Sequence, residues 1–268
     1  MRSLPTLFAV LLLLAGCGRR TTLRGAGDAR VVPVVLSLSN AYLVAAEGGG
    51  FALVDAGSPG ERDYRTLSEA VAAAGYAWPD LRVVVLTHAH VDHAGLAHRL
   101  VDDHDVPLVV GAGDVAMLRA GGAAELHPIG LEARLIRPFL PDGYPPPDSA
   151  TRLATVAAGD SLDLRPYGLP GWAFANAGHT AGHLVVLFDA GGRGAAAFTG
   201  DLVRGGSLGG RLGADAPRRH YFHDDADAAE AHLAELLRRG ATDFYLGHGG
   251  PLDAATVRDF LRSTTPVP

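Results

Sequence analysis

Four apolar residues in a row, Val83, Val84, Val85 and Leu86, run directly into Thr87, His88, Ala89, His90, Val91, Asp92, His93, Ala94 and Gly95. The apolar run reads as a buried strand, so three histidines and an aspartate crowd into the six positions 88–93 just beyond it. A lone histidine at a strand end is ordinarily a surface or hydrogen-bonded residue; four ligating side chains at this density point to a metal site. His88 and His90 stand two apart, and if extended geometry persists through them their rings leave on the same side. Asp92 and His93 then approach the same point after a turn, with Gly95 permitting close packing. Imidazole nitrogens and carboxylate oxygens suit Zn²⁺ or a similar divalent ion, at about 2.0–2.2 Å. One short segment can therefore supply half of a two-ion site.

The rest of the chain must build a scaffold around that segment. With 268 residues, 48% of them hydrophobic, it can bury one large core or two small ones, and a single domain over 31–268 is the simpler expectation. A net charge of −6 supplies no basic field, which argues against a nucleic-acid partner. The single cysteine, Cys17, follows an apolar run over 4–15 that ends Leu14, Ala15, Gly16. That run is too short to span a bilayer but right for a secretory signal. Its ending resembles a bacterial lipobox, which implies a lipoprotein signal peptide over 1–16, lipid on Cys17 and a tether over 17–30. An uncleaved anchor or a plain signal peptide is the alternative. The lipobox reading places the protein outside the cytoplasm, membrane-anchored through its N-terminal lipid, in the periplasm or on the outer cell surface.

Strand patterns cover 31–36, 40–46 and 51–55, the last two joined by Glu47, Gly48, Gly49 and Gly50 as a hairpin. Helical spacing over 61–75 ends at a glycine, and helix, strand and short helix follow over 96–102, 106–110 and 114–120. Alternating strand and helix indicates an α/β layer architecture. Residues 121–150 break the rhythm, because Pro138, Pro141 and Pro145 to Pro147 forbid a long helix. Such a segment is either a substrate-facing lid or a solvated insertion. Strands resume over 155–164, 172–175, 184–189, 195–198 and 243–246, with helices over 226–239 and around 257–261.

Further ligand types sit at the ends of these strands. Asp55 and Asp201 each close an apolar run, where alone they would be helix caps. His179 and His183 lie in the glycine-framed connection 178–183, and His248 sits between Gly247 and Gly249. Together with Thr-His-x-His-x-Asp-His-x-Gly over 87–95, this order resembles the metallo-β-lactamase-fold hydrolase superfamily. The resemblance implies a four-layer αββα sandwich. It assigns His88, His90 and His179 to one ion and Asp92, His93 and His248 to the other, with Asp201 bridging. Asp55 falls where the superfamily keeps a carboxylate behind a ligand histidine. His183 matches no family position and is expected to hydrogen-bond beside the site. His98, His104, His127, His220, His223 and His232 fall outside the motifs, although His220 and Tyr221 could line the pocket.

The implied cofactor is a pair of divalent ions, Zn²⁺ first, with Mn²⁺ or Fe²⁺ as alternatives. The implied chemistry is hydrolysis of a small ester, lactone or thioester by metal-activated water, with Asp92 orienting the nucleophile or passing a proton. Zinc β-lactamases commonly lack an aspartate where Asp201 stands, which weighs against a β-lactam substrate. A mononuclear iron persulfide dioxygenase-like oxidoreductase and a non-catalytic metal-binding lipoprotein remain open, and the oligomeric state is not legible.

Overall fold

A computed structural model of the chain describes residues 31–122, 126–140, 142–148, 151–189 and 194–264. The signal peptide, Cys17 and the tether expected over 1–30 lie outside the described residues, as do parts of the 121–150 segment. Among the described residues no helix is long and apolar enough to cross a membrane.

Six strands form the first sheet in sequence order: β1 (Val31–Val35), β2 (Asn40–Ala45), β3 (Phe51–Val54), β4 (Leu81–Val85), β5 (Leu108–Gly111) and β6 (Leu153–Val156). β1 to β3 are antiparallel, whereas β3 through β6 run parallel. Their parallel ends at Val54, Val85 and Gly111 therefore open onto one edge, the usual place for a ligand site in such sheets. The second sheet takes β7 (Ser161–Asp163), β8 (Gly171–Ala175), β9 (Leu184–Asp189), β10 (Ala195–Gly200), β13 (Ala241–Leu246) and β14 (Leu252–Asp253), in the spatial order β14-β13-β10-β9-β8-β7. Between β10 and β13 a separate two-stranded hairpin forms from β11 (Arg204–Ser207) and β12 (Leu212–Arg218).

The two-residue period of a strand assigns the layers. Leu43, Leu53 and Val84 face outward with Leu67 and Val71 of α1 (Glu61–Ala73) and with Leu100 of α3 (Ala97–His104). Their neighbours Val44, Val54, Val83 and Val85 face inward and meet Val186, Phe198 and Tyr245 of the second sheet. On that sheet's far side Val185, Ala197 and Phe244 pack against Leu233 of α6 (Ala226–Arg238) and Val257 of α7 (Ala254–Thr264). Helix, sheet, sheet and helix make the four-layer αββα sandwich.

One expectation shifts. The run over 155–164 is two strands in different sheets, because the turn Ala157 to Asp160, with Gly159 at φ 82°, lifts the chain across the sandwich. The glycine-rich segment after Asp201 is the β11–β12 hairpin, paired from Arg204↔Arg218 to Ser207↔Leu212. Ahead of the 121–150 segment stands α4 (Val115–Arg119), and within that segment α5 (Gly130–Ile136) docks through Ala133 on Tyr221 and Phe222.

Candidate metal centre

β4 ends at Val85, so His88 and His90 lie in a loop and not on the strand. They converge nevertheless: their ring centroids are 4.7 Å apart, and His90 caps the short helix α2 (Val91–Ala94) that carries Asp92 and His93. Convergence here is enforced by hydrogen bonds to the loop. Asp55, at φ 61° just past β3, accepts from the Thr87 amide at 2.7 Å, from the Thr87 hydroxyl and from His93 Nδ1 at 2.8 Å. The structure places Asp55 directly behind the ring of His93, and no helix starts there for it to cap.

A second buried carboxylate joins it without a motif to mark it. Asp114, beyond β5, accepts from the Ala89 amide at 2.9 Å, the Thr180 hydroxyl at 2.9 Å and the Gly182 amide at 2.8 Å. It thereby ties the loop of His88 and His90 to the loop of His179. The two loops pass so closely that a Cβ on Gly111 would run into the Gly182 carbonyl, which explains the glycine. The visible signal is a third acid just beyond the end of an apolar strand, after Asp55 and Asp201.

His248 is aimed from β13. The Asn40 side chain donates to the carbonyls of Leu246 and Gly249 at 3.0 and 2.9 Å, and His248 Nδ1 donates to Leu38 O at 2.9 Å. His179 Nδ1 donates to Phe222 O at 2.8 Å. In each ring the backbone bond consumes Nδ1 and leaves Nε2 facing inward, as ligating imidazoles are commonly fixed.

The inward nitrogens surround one oxygen. Asp201 Oδ2 stands 3.7 Å from His88 Nε2, 3.5 Å from His93 Nε2, 3.5 Å from His179 Nε2, 3.3 Å from His248 Nε2 and 3.1 Å from His220 Nε2. Asp92 Oδ2 lies 3.4 Å from His248 Nε2 and 3.7 Å from His93 Nε2. Ligand atoms close enough to share an ion fall into the groups His88, His90, His179; His88, His93, Asp201; Asp92, His93, His248; and His179, Asp201, His220. All seven expected ligands are therefore brought together, and His220 joins them. His183 departs from expectation: it is fully buried and stacks 5.7 Å from His88, but neither ring nitrogen has a hydrogen-bond partner among the described residues. His223 is also buried, His98, His104 and His232 are half-buried, and His127 is exposed.

Burial would drive the His93 and His248 imidazoliums down, but Asp201, with Asp92, outweighs it and raises both pKa values. Desolvation would raise Asp201, and the opposing pull of His220, His248 and His93 holds it well below the ordinary carboxylate range. His88, His179 and His220 are lowered, chiefly by burial, and so stay neutral and able to donate lone pairs. Buried His93 Nε2, His220 Nε2 and Asp201 Oδ1 have no hydrogen-bond partner among the described residues. Unpartnered buried donors of this type are costly, and first-row divalent ions such as Zn²⁺ fit them.

Comparisons with known proteins agree with this geometry. The sequence profile described as "Metallo-beta-lactamase superfamily" matches residues 34–248. A curated relative, "Probable metallo-hydrolase YqjP" of Bacillus subtilis (strain 168), is 25% identical over 237 residues, covering 82% of this chain and 70% of that protein. Among solved structures, the MIM-2 metallo-beta-lactamase superposes with TM-score 0.58 at 21% identity, over 87% of this chain and 77% of its own. SMB-1, bound to 2-mercaptoethanesulfonate, gives 0.57 at 20% identity, over 82% and 77%. The metallo-beta-lactamase family protein TTHA1429 of Thermus thermophilus gives 0.57 at 20%, over 87% and 78%. At these identities the structural likenesses speak to the fold alone.

Proposed function

The chain belongs to the metallo-beta-lactamase superfamily, and from that premise we propose that it is a metal-dependent hydrolase holding two zinc ions and cleaving a small ester, lactone or thioester. The observation that carries the reading is Asp201 Oδ2 ringed by imidazole nitrogens, with one ligand triad, His88, His90, His179, on one side and a second, Asp92, His93, His248, on the other.

When bound, the two ions would acidify a water and polarise the scissile carbonyl. The protein's own part is charge and placement. Two divalent cations bring four positive charges and Asp92 and Asp201 remove two, so the pocket retains positive charge for an oxygen that becomes negative during attack. Asp201 is buried, with a side-chain exposure of 2%, whereas Asp92 at 15% borders the open side. Asp92 is thus the carboxylate that can orient a nucleophile and pass a proton to the leaving group. The backbone of Asp92 is held by a hydrogen bond from the Ser39 hydroxyl to its carbonyl.

In this reading α5, in the described part of the 121–150 segment, stands as one wall of the substrate pocket. Glu132 of α5 accepts from Tyr221 Oη at 2.7 Å and from Arg204 Nη2 at 3.2 Å, while Arg204 lies 3.9 Å over the Tyr221 ring. Phe222, the next residue, supplies the carbonyl that orients His179, so the segment is anchored one residue from the centre. The lipobox at Cys17 supports a membrane-tethered, extracytoplasmic site for the reaction. The test is to strip the protein with a chelator, reload it with Zn²⁺, Mn²⁺ or Fe²⁺, and assay lactones, thioesters, phosphodiesters and β-lactams alongside elemental analysis and oxygen consumption. Two zinc ions per chain with restored lactone, ester or thioester hydrolysis is expected. One iron with oxygen uptake, or no bound metal under any loading, would overturn the proposal.

A further inference from the structure

We infer that His220 is itself a ligand of the metal centre, an eighth protein donor beyond the seven the sequence motifs supply. This rests on the two-ion reading above. His220 follows β12 and belongs to no ligand motif, yet its ring is buried and its Nε2 comes nearer to Asp201 Oδ2, at 3.1 Å, than any of the other four imidazoles around that oxygen. The ring stands edge-on to His179 with centroids 4.8 Å apart and nearly parallel to His248 at 5.1 Å, so it borders both triads.

The orientation of the ring separates ligation from simple hydrogen bonding. Phe222 O, which accepts from His179 Nδ1 at 2.8 Å, also lies 3.2 Å from His220 Nδ1. The Phe222 amide lies 3.4 Å from the same His220 nitrogen, so the carbonyl contact is the shorter of the two and favours for His220 the arrangement of His179, with Nδ1–H turned to the backbone and the Nε2 lone pair turned inward. A bare Nε2 facing a carboxylate oxygen is a pair of acceptors, which repel unless a cation sits against both. Consistent with this, His220 Nε2 is buried and close to Asp201 but misaligned for a hydrogen bond, and it has no other partner among the described residues. His93 Nε2, a motif ligand, is left in the same condition.

His179, Asp201 and His220 make a triad whose first two members already serve the other groups. His220 therefore enlarges the coordination of the pair on its His179–Asp201 side and does not create an independent third seat. The extra donor raises the coordination number open to the ion on that side, as zinc itself accepts when it expands from four ligands to five.

The variants H220Q and H220A, loaded with Co²⁺, test the assignment. Gln can still donate a hydrogen bond to Asp201, so it rescues a purely positioning role and not a ligand. Expected for H220Q is the loss of one exchangeable hyperfine-shifted ring N–H resonance in the proton spectrum, altered visible d–d bands, and Co²⁺ and Mn²⁺ binding weaker by about tenfold or more. Circular dichroism of the metal-free variants checks folding, and H220Q alone carries the test if H220A unfolds. A Co²⁺-loaded H220Q with wild-type resonances and affinity would overturn the role of His220 while leaving the two-ion centre intact. A wild-type protein that takes up no Co²⁺ would remove both.

Discussion

Asp55→Asn isolates how much the centre owes to the carboxylate behind His93. Asparagine tolerates the positive φ of 61° at this position, and its Oδ1 can still accept from the Thr87 amide, so backbone and loop should survive. What cannot survive is the 2.8 Å bond from His93 Nδ1 to Asp55 Oδ2, because the amide NH₂ placed there is a donor facing a donor. The ring must either leave that bond unmade or move its proton to Nε2, and the second choice removes the lone pair that would bind an ion. A hydrogen bond to a charged group contributes about 1.5–3 kcal/mol. Loss of a partner behind a ligand histidine costs about 10–100-fold in metal affinity, or roughly 1.4–2.8 kcal/mol at about 1.4 kcal/mol per decade, so the two routes agree. Competition with a chromophoric chelator should therefore find one ion weakened by that factor, the one shared by Asp92, His93 and His248, while the ion at His88, His90 and His179 keeps its affinity. Asp55→Ala is the less informative variant, since it also strands the Thr87 amide and hydroxyl and forces alanine into a strained backbone. Two ions held by Asp55→Asn with wild-type affinity, or equal weakening of both, would refute the reasoning.

Metal uptake should release protons: Asp201 and Asp92 raise the pKa values of His93 and His248 and so favour their protonated forms without metal, and ligation requires bare nitrogens, so apparent affinity rises with pH. Titration calorimetry in buffers of different ionisation enthalpy measures this, and heats independent of buffer would contradict it. Gly247→Ala should lower metal occupancy at a stability cost of about 1–3 kcal/mol, because a Cβ there would run into Asp201 Oδ1 and stand 2.6 Å from His93 Cε1 in a backbone conformation open to alanine. Elemental analysis with thermal melting separates the two effects, and unchanged occupancy would count against the crowding around Asp201. Cys17→Ser should abolish palmitate labelling and release the protein from membranes on fractionation; a variant still membrane-bound would speak for an uncleaved anchor.

How far such a centre can be read from a sequence depends on what holds each residue in place. Val83 to Val85 announce a strand because burial on both faces demands apolar residues throughout, and the same pattern marks β3 and β9 from Leu184 to Phe188. His88 to His93 are legible because four candidate ligands fall within six residues, although a loop and a short helix, not the strand, gather them. Asp114 and His220 are opaque for the opposite reason. Asp114 acts on Ala89, Thr180 and Gly182, which are 25, 66 and 68 residues away, and no local period encodes a contact of that separation. β12, which delivers His220, is largely exposed along Leu212–Arg218, so it carries no alternation to predict it and is held by pairing with β11. Tyr221 and Phe222 beside His220 are buried against Ala133 of α5. An insertion that looks like padding by its prolines thus packs the residues whose backbone orients His179 and His220. The described part of the segment least legible as structure packs beside the part of the centre least legible as motif, where the single carbonyl of Phe222 meets both His179 and His220.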